Sequence, residues 1–251
     1  MDFTNKVVIV TGASSGIGAS TAIAFSAAGA EVVMVGRNEA KLKSVSAKCK
    51  NPLVLNADIR KDDDVKRIMD ETIKKFGRLD ILINNAGLVY SGNIMESESM
   101  MKAYDIIMDT NLRGLVHMTS VAAPHLAKTK GNIINISSVG ALITPSIAPG
   151  TINYYVSKAA VNHFTQCSAI ELAPYGIRVN TVSPGPTRTD FVNNASNVNA
   201  DYDAIKLKTA LNRVSDPEEI AEMILFVASD KGKGMTGSNT VIDNGMLIKR
   251  T

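Results

Sequence analysis

The sequence has few cysteines and no long hydrophobic run. Cys49 and Cys167 are its two cysteines, and they lie far apart in the chain, so neither a disulfide framework nor a metal site is predicted. We interpret both as free thiols, most simply as buried ones. The first apolar run, Val7–Val10, follows a short polar start and is much too short to cross a bilayer. These absences favour a cytoplasmic location.

The chain also lacks a strong excess of charge. Its formal net charge is +3 with 20% charged residues, and its lysines and arginines are scattered, so nucleic-acid binding gains little support. No repeat or low-complexity tract interrupts the sequence. With 251 residues, 45% of them hydrophobic, the chain can bury a large core, and a single domain over residues 1–251 is predicted.

Apolar runs rich in valine and isoleucine alternate with segments of helical spacing. Seven runs predict strands, at Lys6–Val10, Glu31–Val35, Pro52–Leu55, Asp80–Ile83, Gly131–Ile136, Ile177–Val182 and Asn239–Ile242. The helical segments include Ile17–Ala28, Asp62–Phe76, Ala103–Leu126, Val156–Leu172 and Pro217–Val227. The alternation predicts an α/β fold, a Rossmann-type doubly wound parallel sheet of seven strands with helices on both faces.

A glycine-rich turn follows the first predicted strand. It reads Thr11-Gly12-Ala13-Ser14-Ser15-Gly16-Ile17-Gly18 and leads into a helical segment. Glycines at such a turn let the backbone approach a pyrophosphate, and the helix N-terminus offers unpaired N–H groups. On its own the motif is also compatible with a simple strand-to-helix turn.

Further motifs occur in the order found in the short-chain dehydrogenase/reductase family, which the sequence resembles over nearly its whole length. They are Thr-Gly-x-x-x-Gly-x-Gly from Thr11, Asn84-Asn85-Ala86-Gly87, Asn111, Ser138, Tyr154-x-x-x-Lys158, Pro184-Gly185 and Thr189. Similar members include 3-oxoacyl-carrier-protein reductases, carbonyl reductases and hydroxysteroid dehydrogenases. The resemblance implies an oxidoreductase that interconverts a ketone and a secondary alcohol by hydride transfer with a nicotinamide cofactor.

The spacing of Tyr154 and Lys158 predicts a catalytic pair. Residues four apart lie on one face of a helix, so the ammonium can approach the phenol oxygen. A nearby cation favours phenolate, and we therefore expect the pKa of Tyr154 to fall from about 10 toward neutrality. Tyr154 would then act as general acid in reduction and as base in oxidation. The adjacent Tyr155 lies at the wrong spacing and is interpreted as packing or pocket wall.

The resemblance assigns the remaining catalytic roles. Lys158 also binds the nicotinamide ribose, Ser138 donates a hydrogen bond to the substrate oxygen, and Asn111 holds a water that relays protons to Lys158. Ser138 is preferred to its neighbour Ser137 because the family's catalytic serine is usually the second of such a pair.

The residues after the second strand favour NADP(H) over NAD(H). An acidic side chain at this place would accept from both ribose hydroxyls of NAD and repel a 2′-phosphate. The chain instead has Gly36 followed by Arg37, whose guanidinium suits a phosphate. Ser15 stands where some NADP-using relatives carry a second basic residue.

The full predicted cofactor set comes from the glycine turn and from loops that follow later strands. It comprises Gly12, Ser14, Ser15, Gly16, Ile17, Gly18, Arg37, Asn38, Asp58, Ile59, Asn85, Ala86, Gly87, Tyr154, Lys158, Pro184, Gly185, Thr187 and Thr189. Asp58 is the residue expected at the adenine amine, and no metal is expected.

Two irregular segments are expected to form the substrate side, and residues 187–212 are interpreted as a lid. Apolar candidates for the pocket wall are Val89, Tyr90, Val139, Leu142, Ile143, Ile147 and Phe191. They favour a lipophilic, steroid-like or other carbonyl substrate, although they could equally pack the loops onto the sheet. A 3-oxoacyl thioester is the alternative, for which Lys128 and Lys130 offer a modest basic docking surface.

Two other function classes stay open. A non-catalytic NADP(H)-sensing protein would need the glycines but not Asn111, Ser138, Tyr154 and Lys158 together. The sugar-nucleotide-modifying branch of the superfamily usually has a longer chain and a shorter spacing between the first two glycines. By resemblance, we also expect a homotetramer built through the helices at 103–126 and 156–172 and the C-terminal region.

Overall fold

The computed structural model describes residues 1–144, 150–191 and 205–249. Within these ranges the strands are β1 Val7–Thr11, β2 Glu31–Gly36, β3 Leu53–Asn56, β4 Ile81–Asn84, β5 Asn132–Ile136, β6 Arg178–Pro184 and β7 Asn239–Ile242. They form one sheet in the order β3-β2-β1-β4-β5-β6-β7, and every neighbouring pair is parallel. The predicted seven-stranded parallel sheet is confirmed, with each strand end within two residues of its predicted place.

Helices cover both faces of this sheet. They are α1 Gly16–Ala27, α2 Glu39–Ser46, α3 Asp62–Phe76, α4 Ser97–Met108, α5 Gly114–Thr129, α6 Ile152–Leu172 and α7 Pro217–Ala228. Side chains alternate along β1, so that Val8 and Val10 pack toward α1 and α7 while Val7 and Ile9 pack toward α3 and α5. Two apolar layers therefore hold the strand ends, and the loops that follow them, in fixed positions.

Helix α3 shows why some boundaries could be predicted. Three aspartates, Asp62 to Asp64, occupy its first turn and two lysines its last, where each sign of charge is favourable to the helix dipole. Gly77 ends the helix with φ of 71°, a left-handed conformation that glycine adopts readily. The predicted range Asp62–Phe76 is the observed one.

The predicted helix Ala103–Leu126 is wrong as a single element. The chain forms α4, then a π-helical turn at Asp109–Arg113, then α5. Apolar residues continue at helical spacing through the turn, so the pattern does not reveal the change in hydrogen bonding. Asn111 lies inside this turn, and π-helical turns often occur at functional sites.

Several expectations concern segments outside the sheet. Ile147 and half of the predicted lid, at 192–204, lie outside the described residues. Thr209 lies near the end of that lid, and its carbonyl accepts a hydrogen bond from the Lys249 Nζ at 2.9 Å. This bond ties the end of the lid to the C-terminal region. None of the described helices has the length and hydropathy needed to cross a membrane.

The expectation of two buried thiols is half wrong. Cys49 is half-buried and packs against the core, whereas Cys167 is exposed on α6. Sequence reasoning passed over His163, four residues earlier, whose Nε2 lies 3.8 Å from the Cys167 Sγ. In the described part of the chain, no three histidine, cysteine, aspartate or glutamate side chains lie close enough together to hold a metal ion.

Candidate active site

A cavity of about 540 Å³ opens at the carboxyl ends of the strands. Its walls include Ser138 and every residue of the predicted cofactor set except Gly18. Residues that are more than a hundred positions apart in the sequence, such as Gly12 and Thr189, therefore meet in one cleft. This is the edge at which open α/β sheets bind ligands.

The glycine turn shapes one wall of this cavity. Gly12 and Gly16 have φ of 69° and 53°, and a Cβ on Gly12 would lie 2.9 Å from the Ala86 Cα. Gly18 does not line the cavity but packs α1 against the turn, since a Cβ there would clash with the Gly12 carbonyl oxygen. Gly12 and Gly16 thus present backbone without side chains near the N-terminus of α1, which suits the pyrophosphate of a dinucleotide.

Asn85 and Thr11 join this turn to the end of β4. The Asn85 Nδ2 donates to the carbonyl of Thr11 at 2.9 Å. The Thr11 hydroxyl accepts from the backbone N–H groups of Asn85 and Ala86 and donates to the Ile83 carbonyl. The Asn85 side chain therefore holds the glycine turn in place, and Asn85 is also one of the residues that line the cavity.

Tyr154, Ser138 and Lys158 converge at the opposite end of the cavity. Tyr154 lies in the first turn of α6 and Ser138 follows β5. A hydrogen bond joins the Ser138 hydroxyl to the Tyr154 phenol and lowers the pKa of Tyr154, but burial raises it more strongly, to about 12. The expected fall of this pKa is therefore not found, because burial outweighs the hydrogen bond with Ser138.

Lys158 is buried beneath Tyr154, with an exposed fraction of 4%. Its Nζ donates to the Ile136 carbonyl at 2.8 Å and lies 5.8 Å from the centroid of the Tyr154 ring. Burial lowers the pKa of Lys158 to about 8. Gly87 lies next to this ammonium, since a Cβ there would be 3.5 Å from the Lys158 Nζ, an ordinary contact distance.

Asn111 does not line the cavity, and its amide group is engaged by protein atoms. The Nδ2 donates to the Leu88 carbonyl at 2.9 Å and to the Ser157 hydroxyl at 3.1 Å, while Oδ1 accepts from the Leu88 N–H at 2.8 Å. Ser157 in turn donates to the Tyr154 carbonyl at 2.7 Å. Asn111 thereby links the loop after β4 to the helix that carries Tyr154, and its predicted role in holding a water stays a prediction.

The two adjacent serines have different environments. The Ser137 hydroxyl is buried and donates to the Lys158 carbonyl at 3.1 Å, so it ties β5 to α6. Ser138 faces Tyr154 and accepts from the Gly140 N–H at 3.0 Å. The preference for Ser138 as the residue beside the reacting oxygen agrees with this geometry.

The far end of the cavity, beyond β2 and β3, carries exposed charge. Arg37 is exposed, and the Asn38 side chain caps α2 by accepting from the Lys41 N–H at 2.9 Å. Burial alone would raise the pKa of Asp58, but hydrogen bonds from Arg60 and the charges of Arg60 and Arg37 outweigh it and lower the pKa. Asp58 is thus an ionised acceptor in the cavity wall.

Comparisons with known proteins agree with this geometry. A family model described as enoyl-(acyl carrier protein) reductase matches residues 12–247. L-fucose dehydrogenase of Bos taurus is 34% identical over 97% of this chain and 90% of its own. A short-chain dehydrogenase/reductase of Caenorhabditis elegans, solved with cofactor, is 32% identical with a TM-score of 0.89, covering 99% of this chain and 97% of the other.

The chain belongs to the short-chain dehydrogenase/reductase family. A 3-ketoacyl-(acyl-carrier-protein) reductase of Brucella melitensis in complex with NADH has the same fold, with a TM-score of 0.88 and 31% identity over 98% of this chain and all of the other. As a member of this family, the protein is an oxidoreductase that acts on CH–OH and C=O groups with a nicotinamide cofactor.

The substrate side of this short-chain dehydrogenase/reductase differs in part from the expectation. Val89, Tyr90 and Phe191 line the cavity as predicted. Val139, Leu142 and Ile143 are absent from its described wall; Val139 is buried and Leu142 is exposed. Val139 begins a short 3-10 turn, Val139–Ala141, and Leu142 and Ile143 follow it; the apolar pattern does not indicate the direction of this turn.

Sequence reasoning also missed several residues of the cavity wall, among them Leu88 and Lys41. Leu88 directly follows the Asn-Ala-Gly motif, so its position next to that motif was a usable signal. Lys41 lies in α2, four residues after Arg37, and only the three-dimensional course of that helix brings it to the cavity.

Proposed function

We propose that the protein is an NADP(H)-dependent oxidoreductase that interconverts a lipophilic ketone and its secondary alcohol, with the whole chain as one catalytic domain. The observation that carries this proposal is the convergence of Tyr154, Ser138 and Lys158 at one end of a cleft whose other end carries Arg37 and no acid at Gly36. The site residues named above are proposed to hold the cofactor and substrate.

The cofactor fits the residues present. The glycine turn leaves room for the pyrophosphate, Asp58 offers an acceptor for the adenine, and the loop from Pro184 to Thr189 faces the nicotinamide end. When bound, the nicotinamide supplies or accepts the hydride.

The proton chemistry belongs to the protein side chains. Ser138 donates a hydrogen bond to the carbonyl oxygen as negative charge develops there, and Tyr154 delivers its phenolic proton to the same oxygen. The Lys158 ammonium stabilises the phenolate that remains. In the oxidative direction the same groups act in reverse, with Tyr154 taking the proton from the alcohol.

The ionisation states favour ketone reduction near neutral pH. With its pKa raised to about 12 by burial, Tyr154 holds a proton at pH 7 and is ready as an acid. Lys158, with a pKa lowered to about 8 by burial, is still mostly charged there. Alcohol oxidation requires Tyr154 without its proton, so it should accelerate at higher pH.

Arg37 supports NADP(H) as the cofactor. Its guanidinium can form two parallel hydrogen bonds with a phosphate. A Cβ on Gly36 would lie 3.4 Å from the Leu42 Cδ2, so the backbone at this position accepts a side chain without a clash at its first atom. We expect Gly36→Asp with Arg37→Ala to shift the ratio of kcat/KM values toward NADH by about 100-fold. Lys48→Ala, at an exposed lysine outside the cavity, serves as the control, and an unchanged ratio in the double variant would contradict the assignment.

The apolar wall supports a lipophilic substrate. Leu88, Val89, Tyr90 and Phe191 lie along the cavity, and the Phe191 ring centroid is 5.8 Å from that of Tyr154. Such surfaces favour apolar groups beside the reacting carbonyl.

A 3-oxoacyl thioester is the second candidate substrate. It is supported by the likeness to the Brucella melitensis 3-ketoacyl-(acyl-carrier-protein) reductase. Oxidation of NADPH, followed by absorbance, should be measured with ketosteroids, diketones, quinones, 3-oxoacyl thioesters, enoyl thioesters and a sugar lactone. The highest kcat/KM with an apolar ketone supports the first proposal and with a 3-oxoacyl thioester the second, whereas turnover of enoyl thioesters alone would refute both.

Assembly into a homotetramer is part of the proposal. It is supported by apolar side chains exposed on both helices: Met101 and Tyr104 on α4 and Val156 and Ile170 on α6 expose between 40% and 79% of their surface. Light scattering after size exclusion tests the assembly, and a mass near 26.7 kDa would refute it. The cytoplasmic location stays a prediction.

A further inference from the structure

Lys41 brings a second cation to the end of the cavity beyond β2. It lies in the first turn of α2 and lines the same cavity as Arg37, Asn38 and Ser14. Ser15, in the glycine turn, carries no charge. The second basic group at this end of the cavity is instead Lys41, on α2. The cavity thus has two cations, Arg37 and Lys41, at its adenosine end.

An ion pair connects Lys41 to the loop that follows β6. Its Nζ lies 2.9 Å from the Asp190 Oδ2, and the two side chains are 44% and 57% exposed. Asp190 is adjacent to Thr189 and Phe191, both of which line the cavity. The pair therefore bridges elements 149 positions apart in the sequence, from the adenosine side to the substrate side.

The neighbouring acid does not compete for Lys41. Asp58 forms a two-pronged hydrogen-bonded ion pair with Arg60 through both carboxylate oxygens. Asp190 is thus the carboxylate that holds Lys41 in this structure.

We propose that Lys41 is a specificity-determining residue that binds the 2′-phosphate of NADP(H) together with Arg37, and that Asp190 competes with this phosphate for the lysine. The inference rests on the NADP(H) specificity proposed above. An exposed ion pair is weak because water and salt screen it. A phosphate monoester carries about −1.5 to −2 charges, so it displaces the single charge of Asp190. NAD(H) has no such phosphate and leaves the ion pair intact.

The test measures dissociation constants for NADPH and NADH by calorimetry, using the full-length protein and three variants: Lys41→Ala, Asp190→Asn and the double variant. Lys41→Ala should weaken NADPH binding about ten-fold and NADH binding less than two-fold, because a charge-assisted hydrogen bond to the phosphate is lost. Lys43→Ala is the matched control, since this exposed lysine of the same helix lies outside the cavity wall. It should leave both constants unchanged.

The aspartate provides the second, independent readout. Asp190→Asn removes the carboxylate that competes with the phosphate for Lys41. It should tighten NADPH binding about two- to five-fold, because an exposed ion pair is weak, and it should leave NADH binding unchanged. Most of this gain should disappear in the double variant. An equal gain with and without Lys41 would overturn the competition, and equal effects of Lys41→Ala on both cofactors would overturn the phosphate contact.

Failure of this inference is distinguishable from failure of the proposed function. If the unmodified protein binds NADPH no better than NADH and Arg37→Ala changes neither constant, the cofactor proposal itself is wrong. If Arg37→Ala selectively weakens NADPH while Lys41→Ala does not, the NADP(H) proposal stands and Lys41 is only a surface residue.

Discussion

The two ends of the cleft are built in opposite ways. At the catalytic end, Lys158 and Asn111 are 4% and 1% exposed, and each is fixed by hydrogen bonds to backbone carbonyls. At the adenosine end, Arg37 is exposed and Lys41 is held by an exposed ion pair. One end is fixed by buried polar contacts and the other relies on charges that water screens.

This difference matches the two tasks of the site. Proton transfer needs a phenol, a hydroxyl and a carbonyl in one geometry, and small displacements of such groups reduce the rate strongly. Discrimination between cofactors needs only a favourable charge near a phosphate. The catalytic end should therefore tolerate almost no change, while the adenosine end should respond in small and gradual steps.

The largest effect is expected from Tyr154→Phe, which removes the proton donor and keeps the ring. The value of kcat should fall about 10³-fold, while the dissociation constant for NADPH changes less than two-fold. Tyr155→Phe is the matched control, because that ring packs edge-on at 5.9 Å from Tyr154 and lies outside the described cavity wall. Steady-state kinetics on a substrate found in the panel measures the change, and a Tyr154→Phe enzyme as fast as its parent would contradict the mechanism.

The next effect concerns the cost of burying the Lys158 ammonium. Burial lowers its pKa from the ordinary 10.5 to about 8 in the folded protein, so keeping the charge buried costs stability on the order of 3 kcal/mol below pH 8. Between pH 8 and about 10.5 the unfolded chain binds more protons, and the parent's free energy of unfolding rises relative to a variant without the amine. Lys158→Met should therefore be more stable than the parent at pH 7, and this advantage should shrink by pH 10.

Urea unfolding of both proteins at the two pH values measures this change. Lys6→Met, at an exposed lysine that pairs with Asp80, controls for the general effect of losing a charge. The same stability difference at pH 7 and pH 10 would show that Lys158 carries no burial cost.

The smallest effect is expected from salt. Because Arg37 and Lys41 are accessible to ions, raising the ionic strength from about 0.05 to 0.5 M should increase the KM for NADPH a few-fold. The kcat should stay nearly constant, since the groups at the catalytic end are shielded from ions by burial. A parallel fall in kcat would show that the two ends are not as different as their exposures indicate.

The strands and the order of the motifs could be predicted because each rests on local chemistry. Runs of valine and isoleucine mark β1 to β7, and the acidic start and glycine end of α3 mark its boundaries. The convergence of Tyr154, Ser138 and Lys158 could be expected because Ser138 follows the carboxyl end of β5, and the tyrosine and lysine lie at the start of the next long helix, α6.

Other features depend on distances between elements that no local pattern encodes. The pKa of Tyr154 is raised because the phenol is buried, which the four-residue spacing to Lys158 does not reveal. The contact of Lys41 with Asp190 depends on how α2 lies relative to the loop after β6. Gly18 supports the turn rather than the cavity because α1 passes so close to the Gly12 carbonyl that no Cβ fits between them.

The π-helical turn at Asp109–Arg113 also determines in which direction α5 points its apolar side chains relative to α4. A π-helical turn holds about one residue more than an α-helical turn, so the apolar stripe of α5 is offset by about 100° from the direction it would have in a continuous α-helix of the same sequence. Accordingly α4 packs on α6, whereas α5 packs on α3 and β4. If the same residues formed regular i→i+4 hydrogen bonds through this turn, with none removed, the α5 stripe would be rotated away from the sheet by about 100°. A helix with regular hydrogen bonds throughout would then no longer pack the apolar side chains of α5 against α3 and β4.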